Sequence, residues 1–128
     1  MFKPVLILSL LFAAGIVSAA DPVTDAMQKT YVSYRVALFK TNNNAQDDSR
    51  QAVLQAQQGW SQIISQFAEK PPVPYDRDPQ FAASLAEVSK VYAKASTEID
   101  RNELTVAHET LEHAREVMAD MRRRNQVI

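Results

Sequence analysis

The sequence predicts an all-α protein, an antiparallel up-down-up-down four-helix bundle behind a cleaved signal peptide. Three observations carry that prediction. Four segments repeat apolar residues at alternating spacings of three and four, the signature of helices with one buried face. The breaks between them are short and built from asparagine, aspartate, arginine or proline. The chain has 128 residues and no cysteine, so it must hold itself together by packing, which local helix–helix contacts achieve most readily.

The N-terminus stands outside that domain. Lys3 gives a short positive start, residues 5–17 form an apolar run interrupted by Ser9 and Gly15, and Ser18, Ala19 and Ala20 follow as small residues. That order predicts a secretory signal peptide; cleavage after Ala19 or after Ala20 satisfies the small-residue rule, and Ala20 is preferred. The run is shorter than the roughly 20 residues of a membrane span. Residues 1–20 are therefore read as the leader and 21–128 as the bundle, exported to the periplasm or secreted. Removing Lys3 leaves 13 basic residues against 15 acidic ones, a net charge of −2. Such a balance gives no basic footprint for nucleic acid.

The first helix is predicted over about residues 24–41, with Thr24 as N-cap and Asp25 in the first turn. Met27, Tyr31, Tyr34 and Leu38 form one apolar seam. Val32, Val36 and Phe39 form a second stripe on a neighbouring face, which a bundle helix does not need for its own core. Asparagines 42 to 44 end the helix. The second helix covers about residues 47–69, with Asp47, Asp48 and Ser49 at its start and the seam Val53, Ala56, Trp60, Ile63, Phe67. Gly59 beside Trp60 costs roughly 1 kcal/mol relative to alanine inside a helix, which points to close approach of a neighbouring helix.

Pro71, Pro72 and Pro74 make a stiff extended strap. Asp78 and Pro79 are read as cap and first turn of a third helix over about residues 79–99, with Phe81, Leu85, Val88, Tyr92, Ala95 and Ile99 as its seam. A tight turn then leads into the fourth helix, about residues 102–124, capped by Asn102. Its seam is Leu104, Ala107, Leu111, Ala114, Met118 and Met121, and Arg122, Arg123 and Arg124 suit its C-terminal dipole.

The chemistry available to this chain is narrow. Its two histidines, His108 and His113, are five residues apart, about 140° around the helix, so one helix cannot aim both at one metal. A zinc-protease motif needs histidines four apart, but the position four after His108 is Glu112. Di-iron bundles need Glu-x-x-His on two helices, and neither histidine has Glu three residues before it. Covalent haem attachment needs cysteines. No enzyme activity is expected. His108 with Glu112 remains as half of a divalent-metal site, and His113 with Glu109 repeats that pairing on the solvent face. As plain helix pairs they are worth a few tenths of a kcal/mol. Tyr31, Tyr34, Phe39, Trp60, Phe67 and Tyr92 are read as core aromatics, with a polar-lined cavity for a small apolar ligand as the alternative; Arg35 is placed to serve Tyr31, Tyr34 and Phe39 or to lie over a ring.

In layout the mature chain resembles the soluble cytochrome b562 family: an exported domain of this size, four antiparallel helices, and a proline-rich crossing between the second and third. Met27, in Asp25-Ala26-Met27, matches that family's haem-ligating methionine on the first helix. Where the family carries a histidine near the end of the fourth helix, this chain has Met121 followed by three arginines. The resemblance implies the fold, and haem b held between Met27 and Met121 as one reading of function.

Two functional expectations follow. The first is a non-enzymatic exported binding or accessory protein without a cofactor. It would associate with itself, as a homodimer, or with a periplasmic protein partner through Val32, Val36 and Phe39, with no membrane span in the mature chain. The alternative is a periplasmic haem or metal-ion carrier of the cytochrome b562 type, using Met27 and Met121 for haem or His108 and Glu112 for a divalent metal.

Overall fold

Asp21 opens the first helix, α1 (Pro22–Asn42). Its carboxylate accepts the Thr24 amide at 2.8 Å and the Thr24 hydroxyl at 2.6 Å, and Pro22 takes the first helical position, where a missing N–H costs nothing. Thr24 is therefore the capped residue rather than the cap, and the helix starts two residues earlier than its sequence suggests. The computed structural model describes residues 21–127, so the expected leader at 1–20 lies outside the described residues.

After α1, Asn44 adopts a left-handed backbone (φ 56°), which asparagine tolerates better than most residues. Helix α2 (Gln46–Phe67) begins without a side-chain cap; Asp47 and Asp48 lie in its first turn, and the Gln46 side-chain Nε2 donates across to the Ile99 carbonyl at 2.8 Å. It ends two residues short of 69, ahead of Pro71. A 3-10 turn at Tyr75–Arg77 closes the strap. Helix α3 (Phe81–Asp100) starts later than expected. Asp78 does accept the Gln80 amide at 2.9 Å, but Pro79 stays in the turn and the helix begins at Phe81. Helix α4 (Leu104–Arg124) also starts two residues late. Asn102 does not cap it, because its φ of 58° turns the chain between helices.

The four helices form an all-α bundle in which each packs on its chain neighbours and α1 closes the ring against α4. No strand occurs among the described residues. Between α1 and α2, Lys40 meets Asp48 and Thr30 meets Gly59. Between α2 and α3, Arg50 meets Asp100, and the Trp60 indole N–H donates to the Leu85 carbonyl at 2.8 Å. The Tyr34 hydroxyl donates to the Leu111 carbonyl at 2.6 Å, tying α1 to α4. Burial pushes the Tyr34 phenol well above its ordinary pKa, and the Glu112 charge adds to that, so the hydroxyl stays protonated as a donor.

All the predicted seam residues of α3 and α4 are buried, and so are Val53, Ala56, Trp60 and Ile63 of α2, with Phe67 half-buried at its end. In α1 the buried line is Val23, Met27, Tyr34, Ala37 and Thr41, while Tyr31 and Leu38 pack half-buried beside it. Fully burying a side chain such as Ile63 or Leu111 stabilises by about 2 kcal/mol. A Cβ at Gly59 would lie 2.3 Å from the Thr30 methyl, so this glycine serves the close approach of α1 and α2.

A second core element comes from the strap. Tyr75 is fully buried, its ring centroid 5.0 Å from that of Phe81 and its hydroxyl 3.2 Å from that of Thr24. Beside it the buried Asp78 carboxylate receives Arg124 Nη2 at 2.9 Å, Arg124 Nε and Asn125 Nδ2 at 2.9 Å. Burial pushes the Asp78 carboxyl up, but the hydrogen bonds from Arg124, Asn125 and the Gln80 amide outweigh it and hold the carboxyl below its ordinary pKa. Arg124 thus does more than complement a helix dipole: it pins the end of α4 to the strap.

Candidate functional site

The outer face of α1 is the most conspicuous surface of this bundle. Val32 is 65% exposed, Val36 42% and Phe39 61%, so Phe39 belongs to this outer line and not to the core aromatics. At about 100° per residue these three side chains fall within about 60° of one another, a narrow line directed away from the core. They face outward because Tyr34, Ala37 and Thr41, on the opposite side of the same turns, already fill the α1 position in the core. Among the described residues, Leu54 on α2 and Val106 on α4 are the other exposed large aliphatics of the helices.

Val32, Arg35, Val36, Phe39 and Lys40, all on α1, line a shallow, open cleft of about 420 Å³. Arg35 lies on the flank nearer α4, is exposed, and makes no ion pair among the described residues. Lys40 lies on the flank nearer α2, its ammonium 3.3 Å from Asp48 and 5.8 Å from the Phe39 ring centroid. The Tyr34 hydroxyl is satisfied by Leu111, so Arg35 is not engaged there. No carboxylate lines the cleft.

The two histidines occupy different environments. His108 is half-buried where α4 meets the end of α1. Its Nδ1 lies 3.1 Å from the Leu38 carbonyl and 3.1 Å from the Thr41 hydroxyl, which itself donates to the Ala37 carbonyl at 2.8 Å. An Nδ1–H therefore donates into the end of α1, leaving Nε2 3.7 Å from Glu112. Glu112 in turn pairs with Arg115. His113 is exposed, with Nε2 3.3 Å from Glu87 on α3 and Nδ1 3.3 Å from Glu116. Its partner is thus not Glu109, because the ring turns towards α3. Among the described residues no three His, Cys, Asp or Glu side chains converge as a ligand set. The His108–Glu112 pair supplies two donors, one of them already shared with Arg115.

Met27 and Met121 are both buried, Met121 completely. The cleft beside Met27 is lined by Thr24, Gln28, Tyr31, Met118 and Arg122 and measures about 60 Å³. Met118, not Met121, shares it with Met27. That cleft is smaller than the several hundred Å³ of sites for cofactor-sized ligands.

No protein-family model, curated protein or solved structure matches this chain. Its functional reading therefore rests on its own surface.

Sequence periodicity located Val32, Val36 and Phe39 but not the role of Arg35 and Lys40. Those two flank the apolar line in the way that e and g residues flank a coiled-coil seam, a signal available in the heptad register of α1. Among the described residues, no helix is long and apolar enough to cross a membrane.

Proposed function

We propose that this protein is a non-enzymatic exported accessory module that docks a partner through the outer face of α1. The observation that carries the reading is the unpartnered cleft of Val32, Arg35, Val36, Phe39 and Lys40. Three large apolar side chains exposed at helical spacing cost solubility, and such a patch marks an interaction surface more often than an accident. The remaining surface carries charged pairs such as Arg50–Asp47, Arg115–Glu112 and Arg123–Asp120. Export is supported by Lys3, the apolar run at 5–17 and the small residues before Asp21. The up-down-up-down antiparallel order is supported by the cross-helix pairs Lys40–Asp48 and Thr30–Gly59, whose members run in opposite senses along α1 and α2.

Docking by this face makes Val36 a point where a charge should abolish association without unfolding the bundle. Val36 is 42% exposed, so Val36→Glu should change stability by no more than about 0.5 kcal/mol. Fluorescence-detected sedimentation of labelled protein in an extract of its producing cells reads association directly. The wild type is expected to sediment as a heavier species and Val36→Glu as the free chain. A wild type that sediments as the bare chain at every extract concentration would contradict the proposal.

A further inference from the structure

We infer that the partner of this face is an acidic amphipathic helix, not a second copy of this chain. The inference rests on the docking surface proposed above and names its occupant. Val32, Val36 and Phe39 fall at i, i+4 and i+7, the d-a-d positions of one heptad seam. A seam about 60° wide is the narrow stripe of a coiled coil rather than a broad core-facing one, which suits a second helix laid along α1. The surface is shallow and open and is formed by α1 alone, so a helix would lie along it rather than insert into it.

Charge then selects among helices. In this register Arg35 takes the g position and Lys40 the e position. Pairing two copies in parallel places Arg35 of one against Lys40 of the other. Pairing them antiparallel places Arg35 against Arg35 and Lys40 against Lys40. Both arrangements set cation against cation across a seam that excludes water, and interhelical e and g charges decide partner choice. Asp48 relieves Lys40 from the α2 side at 3.3 Å, but Arg35 has no counterpart among the described residues. A partner with apolar a and d residues and Glu or Asp at e and g satisfies both cations. Its contact along two turns of α1 is small, so binding should be transient.

The test uses the bundle with two designed helical peptides of the same leucine seam, one with glutamate at every e and g position and one with lysine. Amide chemical shifts of isotope-labelled protein report both binding and location. The glutamate peptide is expected to shift the amides of residues 32–40 and to bind about tenfold tighter than the lysine peptide, the effect of two exposed ion pairs turned to repulsion. Arg35→Glu combined with Lys40→Glu should reverse that preference; Arg35 is exposed and half-buried Lys40 gives up only a surface pair with Asp48, so the fold is kept. Equal binding of the two peptides would overturn the acidic partner, as would binding to phosphatidylglycerol vesicles with no response to either peptide. A dimer that Val36→Glu dissociates, with neither peptide bound, would also overturn it while leaving docking by α1 intact. Absence of binding to peptides, vesicles, extract or a second copy would remove both.

Discussion

Replacing Trp60 by alanine is expected to destabilise the bundle by about 4 kcal/mol, the middle of the range for a buried aromatic. Trp60 is the largest fully buried side chain and touches two parts of the core at once. Its indole N–H reaches the Leu85 carbonyl on α3, and its ring meets Tyr92 edge-on with centroids 6.4 Å apart. Gly59 beside it already brings α1 into contact, so the backbone cannot close further to fill the space. Trp60→Phe keeps most of the apolar contact and loses the hydrogen bond, so its cost should be smaller, about 1–2 kcal/mol. Urea unfolding of the three proteins measures both differences. An alanine cost below about 1 kcal/mol would mean that the ring is not central to the core.

Asp78→Asn is expected to cost about 3 kcal/mol at neutral pH, because removing one member of a buried ion pair strands the other. The asparagine keeps the shape but cannot accept from Arg124, Asn125 and the Gln80 amide together. The partial exposure of Arg124 keeps the loss towards the lower end of that range. The sign of the pH dependence follows from the lowered Asp78 pKa. Its contribution is complete above the unfolded carboxyl value near about 4, and is lost as pH falls through the folded value. The stability gap between wild type and Asp78→Asn should therefore narrow below about pH 4, a comparison in which the other carboxylates cancel. A gap that is constant from pH 7 to pH 3 would show that the carboxylate charge is not what holds the strap.

These two sites also mark what the sequence could and could not disclose. Trp60 was legible because it sits in phase with Val53, Ala56 and Ile63, and helical period is set by local geometry. The same holds for the seams of α3 and α4 and for the outward line Val32, Val36, Phe39. Asp78 was read as a helix cap from its neighbour Pro79, whereas its main partners, Arg124 and Asn125, arrive from the far end of the chain. No local pattern encodes that meeting. Tyr75 was hidden for the same reason, since a proline-rich strap gives no period by which to assign burial. Helix starts were misplaced by about two residues at Asp21, Pro79 and Asn102, where several polar residues competed for the cap. On the candidate site, the phase of α4 correctly separated half-buried His108 from exposed His113, but the choice of Glu87 over Glu109 depended on where α3 lies.

Around Val32, Val36 and Phe39 the outer face of α1 combines exposed apolar side chains with Arg35 and Lys40, and docking requires that something cover it in the cell. Site-specific photo-cross-linking from position 36 asks that question in living cells, with position 61, exposed on α2, as the control. A discrete cross-linked product from position 36, absent from position 61 and lost when Arg35 and Lys40 are both changed to glutamate, is the expected result. Equal cross-linking from both positions, or none from position 36, would contradict docking by this face.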